Sequence, residues 1–111
     1  MNRKNLSKET QLIRHIVIFT LTSDDAQQRE ADIVAVRERL QALVGVVPGL
    51  RSVVFEPDLG LIASHQDAVL VSEHDDNAAL EGYQAHPGHI EAAGFIASVT
   101  GPSRAVVDYE L

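Results

Sequence analysis

Three side chains that can carry protons lie close together in the second half of the sequence, in the run Tyr83-x-x-His86-Pro87-x-His89. Imidazole titrates near neutral pH, so His89 is a candidate to give a proton to a bound ligand or to take one from it. A phenol such as that of Tyr83 can donate a hydrogen bond to a carbonyl oxygen or to a developing oxyanion. A base beside such a donor suits cyclisation or enolisation.

A structural role accounts for the same residues without any chemistry. A tyrosine on a short helix commonly buries its ring and finds one partner for its hydroxyl, and a histidine near a helix start can pack or bond to the backbone. His15, among apolar residues of the first strand, is either a satisfied buried histidine or a further group of the same pocket. His86 precedes Pro87 and is expected to cap or orient the turn.

Metal binding is a weaker alternative, because His86 and His89 are three residues apart and would face the same way on a helix. The other possible ligands are in segments that we expect to be loops: His65, His74, Asp75 and Asp76. Since no clear third ligand emerges, we predict no metal site. The sequence also lacks a phosphate-binding glycine-rich loop and a G-x-S-x-G motif, so no cofactor is implied.

The elements that must position these residues follow from the hydrophobic pattern. Four segments alternate or are rich in β-branched residues, as strands are: 12–21, 51–56, 67–74 and 104–111. Helical spacing covers three segments: from the N-cap cluster at 22–25 through Val44, from the N-cap types at 75–77 through Tyr83, and from Pro87 to about Val99. The order βαββαβ predicts a ferredoxin-like α+β fold, a four-stranded antiparallel sheet with its helices on one face.

The first predicted strand is apolar on both of its faces, whereas helices on one side of a sheet cover only one face. One face would carry Ile13, His15, Val17 and Phe19, and the other Leu12, Arg14, Ile16 and Ile18. An open apolar sheet face is too large a patch for a stable monomer. We therefore predict a homodimer, a dimeric α/β barrel in which two sheet surfaces shield each other and enclose the proton-carrying groups.

Composition limits the domain count and the partners. The 111 residues suffice for one domain, 12–111, which follows an expected flexible N-terminal tail, 1–11. The formal charge of -7 would repel a phosphate backbone, so we expect no nucleic-acid partner. Apolar runs fall far short of the roughly 20 residues that span a bilayer, and with no cysteine and no signal-peptide pattern we expect a cytoplasmic protein.

The chain resembles the stress-responsive A/B barrel domain family over residues 13–110. The likeness rests on four runs: Ile13-Arg14-His15-Ile16-Val17, Val47-Pro48-Gly49-Leu50, Tyr83-Gln84-Ala85-His86-Pro87-Gly88-His89 and Val106-Val107-Asp108-Tyr109. Family members are dimeric α+β barrels, and most have no established activity. The resemblance therefore implies a dimeric scaffold before it implies a reaction.

A more distant resemblance, to the plant polyketide cyclase olivetolic acid cyclase, suggests roles for individual residues. That enzyme uses a tyrosine and a histidine of the same motif, which correspond to Tyr83 and His89 here, and has a first-strand histidine near its pocket, which corresponds to His15. The resemblance thus implies Tyr83 and His89 as catalytic residues and His15 as a ligand-binding residue.

The pocket of the cyclase is not fully kept, because the positions of its helix aromatics hold Val36, Arg37 and Leu40 here. The polyketide substrate therefore does not carry over. We predict Arg37, Leu40 and Leu70 as further ligand-binding residues, with Arg37 a candidate partner for an anionic group if it does not extend to water.

Three functions remain open at the level of the sequence. The first is a homodimer that binds a small, partly apolar carbonyl or aromatic compound in the barrel cavity, with cyclase-like or lyase-like acid-base chemistry. The second is a non-catalytic stress-response or interaction module. The third, by analogy of fold alone, is a cofactor-independent monooxygenase, because other dimeric barrels of this architecture oxidise electron-rich aromatics.

Overall fold

The structure, a computed structural model, describes residues 11–111. The predicted flexible tail, residues 1–11, lies outside the described residues except for Gln11. The elements are β1 (Ile13–Leu21), α1 (Ala26–Gln41), β2 (Leu50–Pro57), β3 (Ala68–His74), α2 (Asn77–Ala85), α3 (Pro87–Val99) and β4 (Thr100–Glu110). The predicted ferredoxin-like α+β fold is confirmed, and α2 and α3 correspond to the last two helical segments that the sequence predicts.

The four strands form one antiparallel sheet in the order β2-β3-β1-β4. Alternate residues of β1 are buried beneath the helices, namely Ile13, His15, Val17 and Phe19. Because side chains alternate along a strand, this face of the sheet and the helices enclose the hydrophobic core. His15 is thereby placed inside the protomer, between Ser72 of β3 and Asp108 of β4.

Helix α1 begins where the sequence predicts and ends three residues earlier. Asp25 is the N-cap, and its side chain accepts a hydrogen bond from the backbone N–H of Gln28. The helix ends at Gln41, after which turns lead to Gly49, whose φ of 79° favours glycine. Val44, predicted as the last residue of the helix, is 41% exposed.

Strand β4 is longer than the sequence indicates, since it begins at Thr100 rather than at Arg104. Gly101 and Pro102, which lie outside the predicted elements, are part of this strand. Proline is tolerated because β4 is an edge strand, where one side of the backbone needs no hydrogen-bonded neighbour. The pairing with β1 is shifted between Phe19 and Leu21, which accommodates this irregular start.

The second face of the sheet carries an apolar row, and none of the helices in residues 11–111 covers it. The row crosses all four strands through four neighbouring residues: Val54, Val71, Ile16 and Val107. Val54 is 42% exposed and Val107 59% exposed. Such a face is what the predicted dimer would cover. Within residues 11–111, no helix is long and apolar enough to cross a membrane.

Candidate functional site

Tyr83 is the centre of a cluster of ionisable rings between the helices and the sheet. It lies in α2 with 1% of its surface exposed. Ring centroids of three histidines surround its own, with His89 at 4.2 Å, His74 at 4.8 Å and His15 at 6.5 Å. Its buried hydroxyl forms no hydrogen bond with any described residue. Burial raises the pKa of Tyr83 to about 12, so the hydroxyl keeps its proton at neutral pH.

His15 is held by a carboxylate on the neighbouring strand. The pairing of β1 with β4 sets His15 opposite Asp108, and Nδ1 of His15 lies 2.5 Å from Oδ1 of Asp108. The imidazole Nδ1–H donates to this carboxylate, since an ionised carboxylate can only accept. In the neutral ring, Nε2 is then left with the lone pair and can act as an acceptor.

His89 lies in the first turn of α3, where the backbone fixes its tautomer. Nδ1 lies 3.3 Å from the carbonyl oxygen of Gln84, which can only accept, so Nδ1 carries the hydrogen and Nε2 the lone pair. Burial lowers the pKa of His89, although the hydrogen bond to Gln84 opposes this effect. The residue is only partly buried, and the lone pair on Nε2 makes His89 the candidate base of the cluster.

The sequence placed His74 both at the end of the strand 67–74 and among possible metal ligands in loops, and the structure places it in the strand. It is the last residue of β3 and is fully buried on the helix-covered face. Its Nε2 lies 2.8 Å from the hydroxyl oxygen of Ser72, while its Nδ1 forms no hydrogen bond with any described residue. Burial, together with the nearby His15, lowers the pKa of His74 to about 4, so the ring is neutral at neutral pH.

The break between α2 and α3 sets the positions of Tyr83 and His89. His86 has an extended backbone, and its Nδ1 accepts a hydrogen bond of 2.9 Å from the N–H of Gly88. Pro87 occupies the first turn of α3, where its missing N–H leaves no bond unmade. Because Nδ1 of His86 is used as a cap, the ring orients the turn that brings His89 against Tyr83.

The other predicted ligand-binding residues lie apart from this cluster or serve the core. Leu40 and Leu70 are buried in the hydrophobic core, with 1% and 4% of their surface exposed. Arg37 lies beside β2, the edge strand opposite β4, where it donates to the carbonyl of Phe55 and pairs with Glu56 at 2.8 Å. It lines a separate surface pocket of about 620 Å³. The structure thus does not bring Arg37 to the cluster.

The predicted enclosure of these groups between two sheets is wrong. His15 and Tyr83 are already buried within one protomer, on the face that the helices cover. The dimer would cover the opposite face. Metal ligation finds no support in geometry, because no group of three or more His, Asp or Glu side chains in residues 11–111 is arranged to hold an ion.

Three residues of the site were not predicted as site residues from the sequence: Ser72, His74 and Asp108. Alternation along β3 sets Ser72 and His74 on one face, a signal that the predicted strand 67–74 already contained. In the sequence, Asp108 stands out only as part of a run shared with the family. Its contact with His15 depends on the pairing of the first and last strands, which no local pattern reveals.

Comparison with known families decides the assignment. The model of the stress responsive A/B barrel domain matches residues 13–111. The chain belongs to this family. No curated protein matches the chain in sequence.

Solved structures with a similar ferredoxin-like fold include dimeric proteins. A dimeric protein of unknown function with a ferredoxin-like fold from Bacteroides fragilis is 27% identical, with a TM-score of 0.78 and coverage of 90% of this chain and 96% of that one. This relative supports the predicted homodimer.

Two enzymes share the fold at lower identity. Hydroxynitrile lyase from Passiflora edulis is 21% identical, with a TM-score of 0.70 and coverage of 92% of this chain and 94% of that one. SnoaB, a cofactor-independent oxygenase from Streptomyces nogalater, is 15% identical, with a TM-score of 0.66 and coverage of 87% and 91%. At these identities the likeness shows the fold alone.

Proposed function

We propose that a dimer of this stress responsive A/B barrel protein binds a small, partly apolar carbonyl or aromatic compound beside Tyr83 and transfers protons on it. The supporting observation is the buried hydroxyl of Tyr83, which has no hydrogen-bond partner among the described residues and lies amid three imidazole rings. An unsatisfied buried hydroxyl costs roughly 1–3 kcal/mol. A ligand oxygen that accepts from Tyr83 would remove this cost.

Each ring has a distinct role in the proposed chemistry. The Tyr83 hydroxyl donates to the ligand carbonyl, and Nε2 of His89 removes a proton from the adjacent carbon. The electron pair of that C–H bond moves to the carbonyl oxygen, which becomes an enolate oxygen stabilised by Tyr83. The proton on His89 then returns to carbon or passes to solvent. His15, held by Asp108, contacts the ligand from the strand side.

The test is deuterium exchange of the methyl group of acetophenone in D₂O, followed by proton NMR. We expect the protein to accelerate exchange above the buffer rate, and Tyr83→Phe and His89→Gln each to slow it by about tenfold or more. The matched control is His65→Gln, because His65 is exposed in the loop between β2 and β3. A wild-type rate equal to that of buffer, or unchanged rates in both site variants, would contradict the proposal.

The non-catalytic alternative makes a different prediction for the same variants. If the cluster serves folding alone, Tyr83→Phe and His89→Gln lose stability and no exchange is seen in any folded form. No residue of the site favours the monooxygenase, for which the likeness to an oxygenase supplies only the fold. The cytoplasm stays our proposed location, which the absence of cysteine supports.

A further inference from the structure

Two polar atoms of the cluster are buried without a hydrogen-bond partner, and they belong to neighbouring rings. They are the hydroxyl of Tyr83 and Nδ1 of His74, and within residues 11–111 neither has a partner. The two ring centroids are 4.8 Å apart. His74 is fully buried and Tyr83 is 1% exposed, so solvent does not readily satisfy either atom. A buried polar group without a partner is a candidate for ligand contact.

The contact with Ser72 determines which nitrogen of His74 carries the hydrogen. Ser72 is fully buried, and its hydroxyl bonds only to Nε2 of His74 in the described part of the chain. If Nε2–H donated, the hydroxyl hydrogen of Ser72 would have no acceptor. If Ser72 donates instead, its hydrogen is satisfied and the neutral ring carries its own hydrogen on Nδ1. The free atom of His74 is then a donor.

We infer that His74 is a second hydrogen-bond donor to the ligand oxygen that Tyr83 binds, and that this oxygen belongs to a carbonyl group. The inference rests on the proposed function of the same cluster. The free Nδ1–H donor distinguishes His74 from His15 and His89. In those two rings Nδ1–H is already hydrogen-bonded, and Nε2 of the neutral ring is an acceptor. The cluster therefore contains two donors without acceptors beside two bases.

Two free donors on neighbouring rings favour a carbonyl over a hydroxyl. A carbonyl oxygen accepts two hydrogen bonds and has no hydrogen of its own to place, whereas an alcohol brings a third hydrogen between the donors. When a proton leaves the adjacent carbon, negative charge develops on this oxygen, and both donors stabilise it. A neutral His74 suits the role, because it donates without placing a full charge in the core.

The first measurement needs only the wild-type protein. Nitrogen NMR on protein labelled in its histidine rings reports which nitrogen of His74 is protonated. We expect hydrogen on Nδ1 and none on Nε2. Protonation of Nε2 alone overturns the inference, because His74 would then offer an acceptor.

The second measurement uses acetophenone labelled with carbon-13 at the carbonyl. We expect infrared difference spectra of the bound ketone to show a lower carbonyl stretching frequency than in water-free solvent, and acetophenone to bind more tightly than 1-phenylethanol. The variant Ser72→Ala/His74→Phe removes both members of the buried pair, so that neither is left without its partner. It should bind acetophenone roughly three- to tenfold more weakly, with a smaller frequency shift and a reduced preference over the alcohol.

The outcomes separate this inference from the proposed function. If the double variant keeps the wild-type carbonyl frequency, affinity and preference while Tyr83→Phe and His89→Gln still slow deuterium exchange, the role of His74 is refuted and the proposed function stands. If the wild-type protein neither binds acetophenone nor accelerates exchange, both fail. If the double variant does not fold, the NMR measurement on the wild-type protein still tests the inference. Hydrogen on Nδ1 of His74 supports its role as a donor, and hydrogen on Nε2 alone refutes it.

Discussion

His15 and Asp108 are joined across two neighbouring strands, with Nδ1 of the imidazole 2.5 Å from Oδ1 of the carboxylate. The two residues are 93 positions apart in sequence, so the contact exists only when β4 pairs with β1. The His15 side chain is 8% exposed and that of Asp108 is 40% exposed. The more exposed carboxylate thus satisfies the buried Nδ1–H donor of His15 and fixes the orientation of the ring.

Replacing Asp108 should therefore destabilise the fold through His15. In Asp108→Leu the buried Nδ1–H has no acceptor, and we expect the free energy of unfolding to fall by roughly 1–3 kcal/mol. Asp108→Asn should lose less, because an amide oxygen can still accept. Urea unfolding measures both, with Glu110→Gln as a control on the same strand that should change stability by less than about 0.5 kcal/mol. Equal stability of the Leu variant and the wild type would refute the role of Asp108.

Stability should depend on pH through His74. Its pKa is lowered from 6.5 to about 4 by burial and by His15, so the unfolded chain binds the proton more tightly than the folded one. The stabilisation is complete above pH 6.5 and is lost as the pH falls towards 4, by about 3 kcal/mol at most. His89, whose pKa is also lowered by burial, acts in the same direction.

Urea unfolding at pH 7 and at pH 4.5 measures this loss. The variant Ser72→Ala/His74→Phe lacks the buried imidazole, so it should lose less stability than the wild type between the two pH values. The remaining loss belongs to His89 and to the carboxylates that both proteins share. Parallel losses in the two proteins would show that His74 titrates normally.

The turn before β2 should tolerate no side chain at Gly49. Its φ is 79°, and a Cβ there would lie 2.5 Å from Cβ of Ala79 in α2, the helix that carries Tyr83. Gly49→Ala should therefore cost more than about 1 kcal/mol of stability. In α3, a Cβ at Gly94 would meet no atom of residues 11–111 within 4 Å, so Gly94→Ala should instead stabilise the fold by roughly 0.5–1 kcal/mol. Thermal unfolding measures both changes in stability. A change of the same sign in the two variants would contradict the backbone conformation assigned to these glycines.

The open sheet face should be the dimer interface. Val71 lies on this face between Val54 and Ile16, so Val71→Arg would bury an unpaired charge against a second copy. We expect at least roughly tenfold weaker dimerisation, measured by light scattering across a dilution series. Val46→Arg is the matched control, because Val46 is 61% exposed in the turns after α1. A monomeric wild type, or equal dimerisation of the two variants, would exclude this interface.

What the sequence predicted correctly depends on local periodicity. The alternation in β1 placed His15 on one face with Val17, and the N-cap types located α1, because these patterns reflect neighbours along the chain. The predicted start of β4 was wrong, because a strand can include Pro102 only if it lies at the edge of the sheet. The sequence alone does not order the strands.

The site was predicted less completely than the fold, for a related reason. Tyr83 and His89 share one short motif, so their proximity follows from two adjoining helices. Arg37 was placed by helical spacing, yet its partner Glu56 lies on the edge strand far from β4 and holds it there. Asp108 joins the site only through strand pairing. Residues brought together by local structure are therefore predictable, and those brought together by sheet order are not.

The two tyrosines of the chain offer the sharpest test of the site, because the same substitution should affect stability and exchange differently at the two positions. The hydroxyl of Tyr83 is buried without a partner, so Tyr83→Phe should raise the free energy of unfolding by roughly 1 kcal/mol while it slows exchange of acetophenone. The hydroxyl of Tyr109 accepts a hydrogen bond of 2.8 Å from Arg14 at the exposed face. Tyr109→Phe should therefore leave exchange unchanged and stability equal or slightly lower.

If Tyr83→Phe is more stable and exchanges acetophenone more slowly, the hydroxyl of Tyr83 serves the ligand and not the fold. Removal of a hydroxyl that stabilises the fold would lower the free energy of unfolding. Urea unfolding and deuterium exchange on the two variants and the wild type give the full comparison. If Tyr83→Phe is less stable than the wild type, the hydroxyl has a structural partner in solution. If it is more stable and exchanges acetophenone at the wild-type rate, Tyr83 is a core residue without a part in the chemistry.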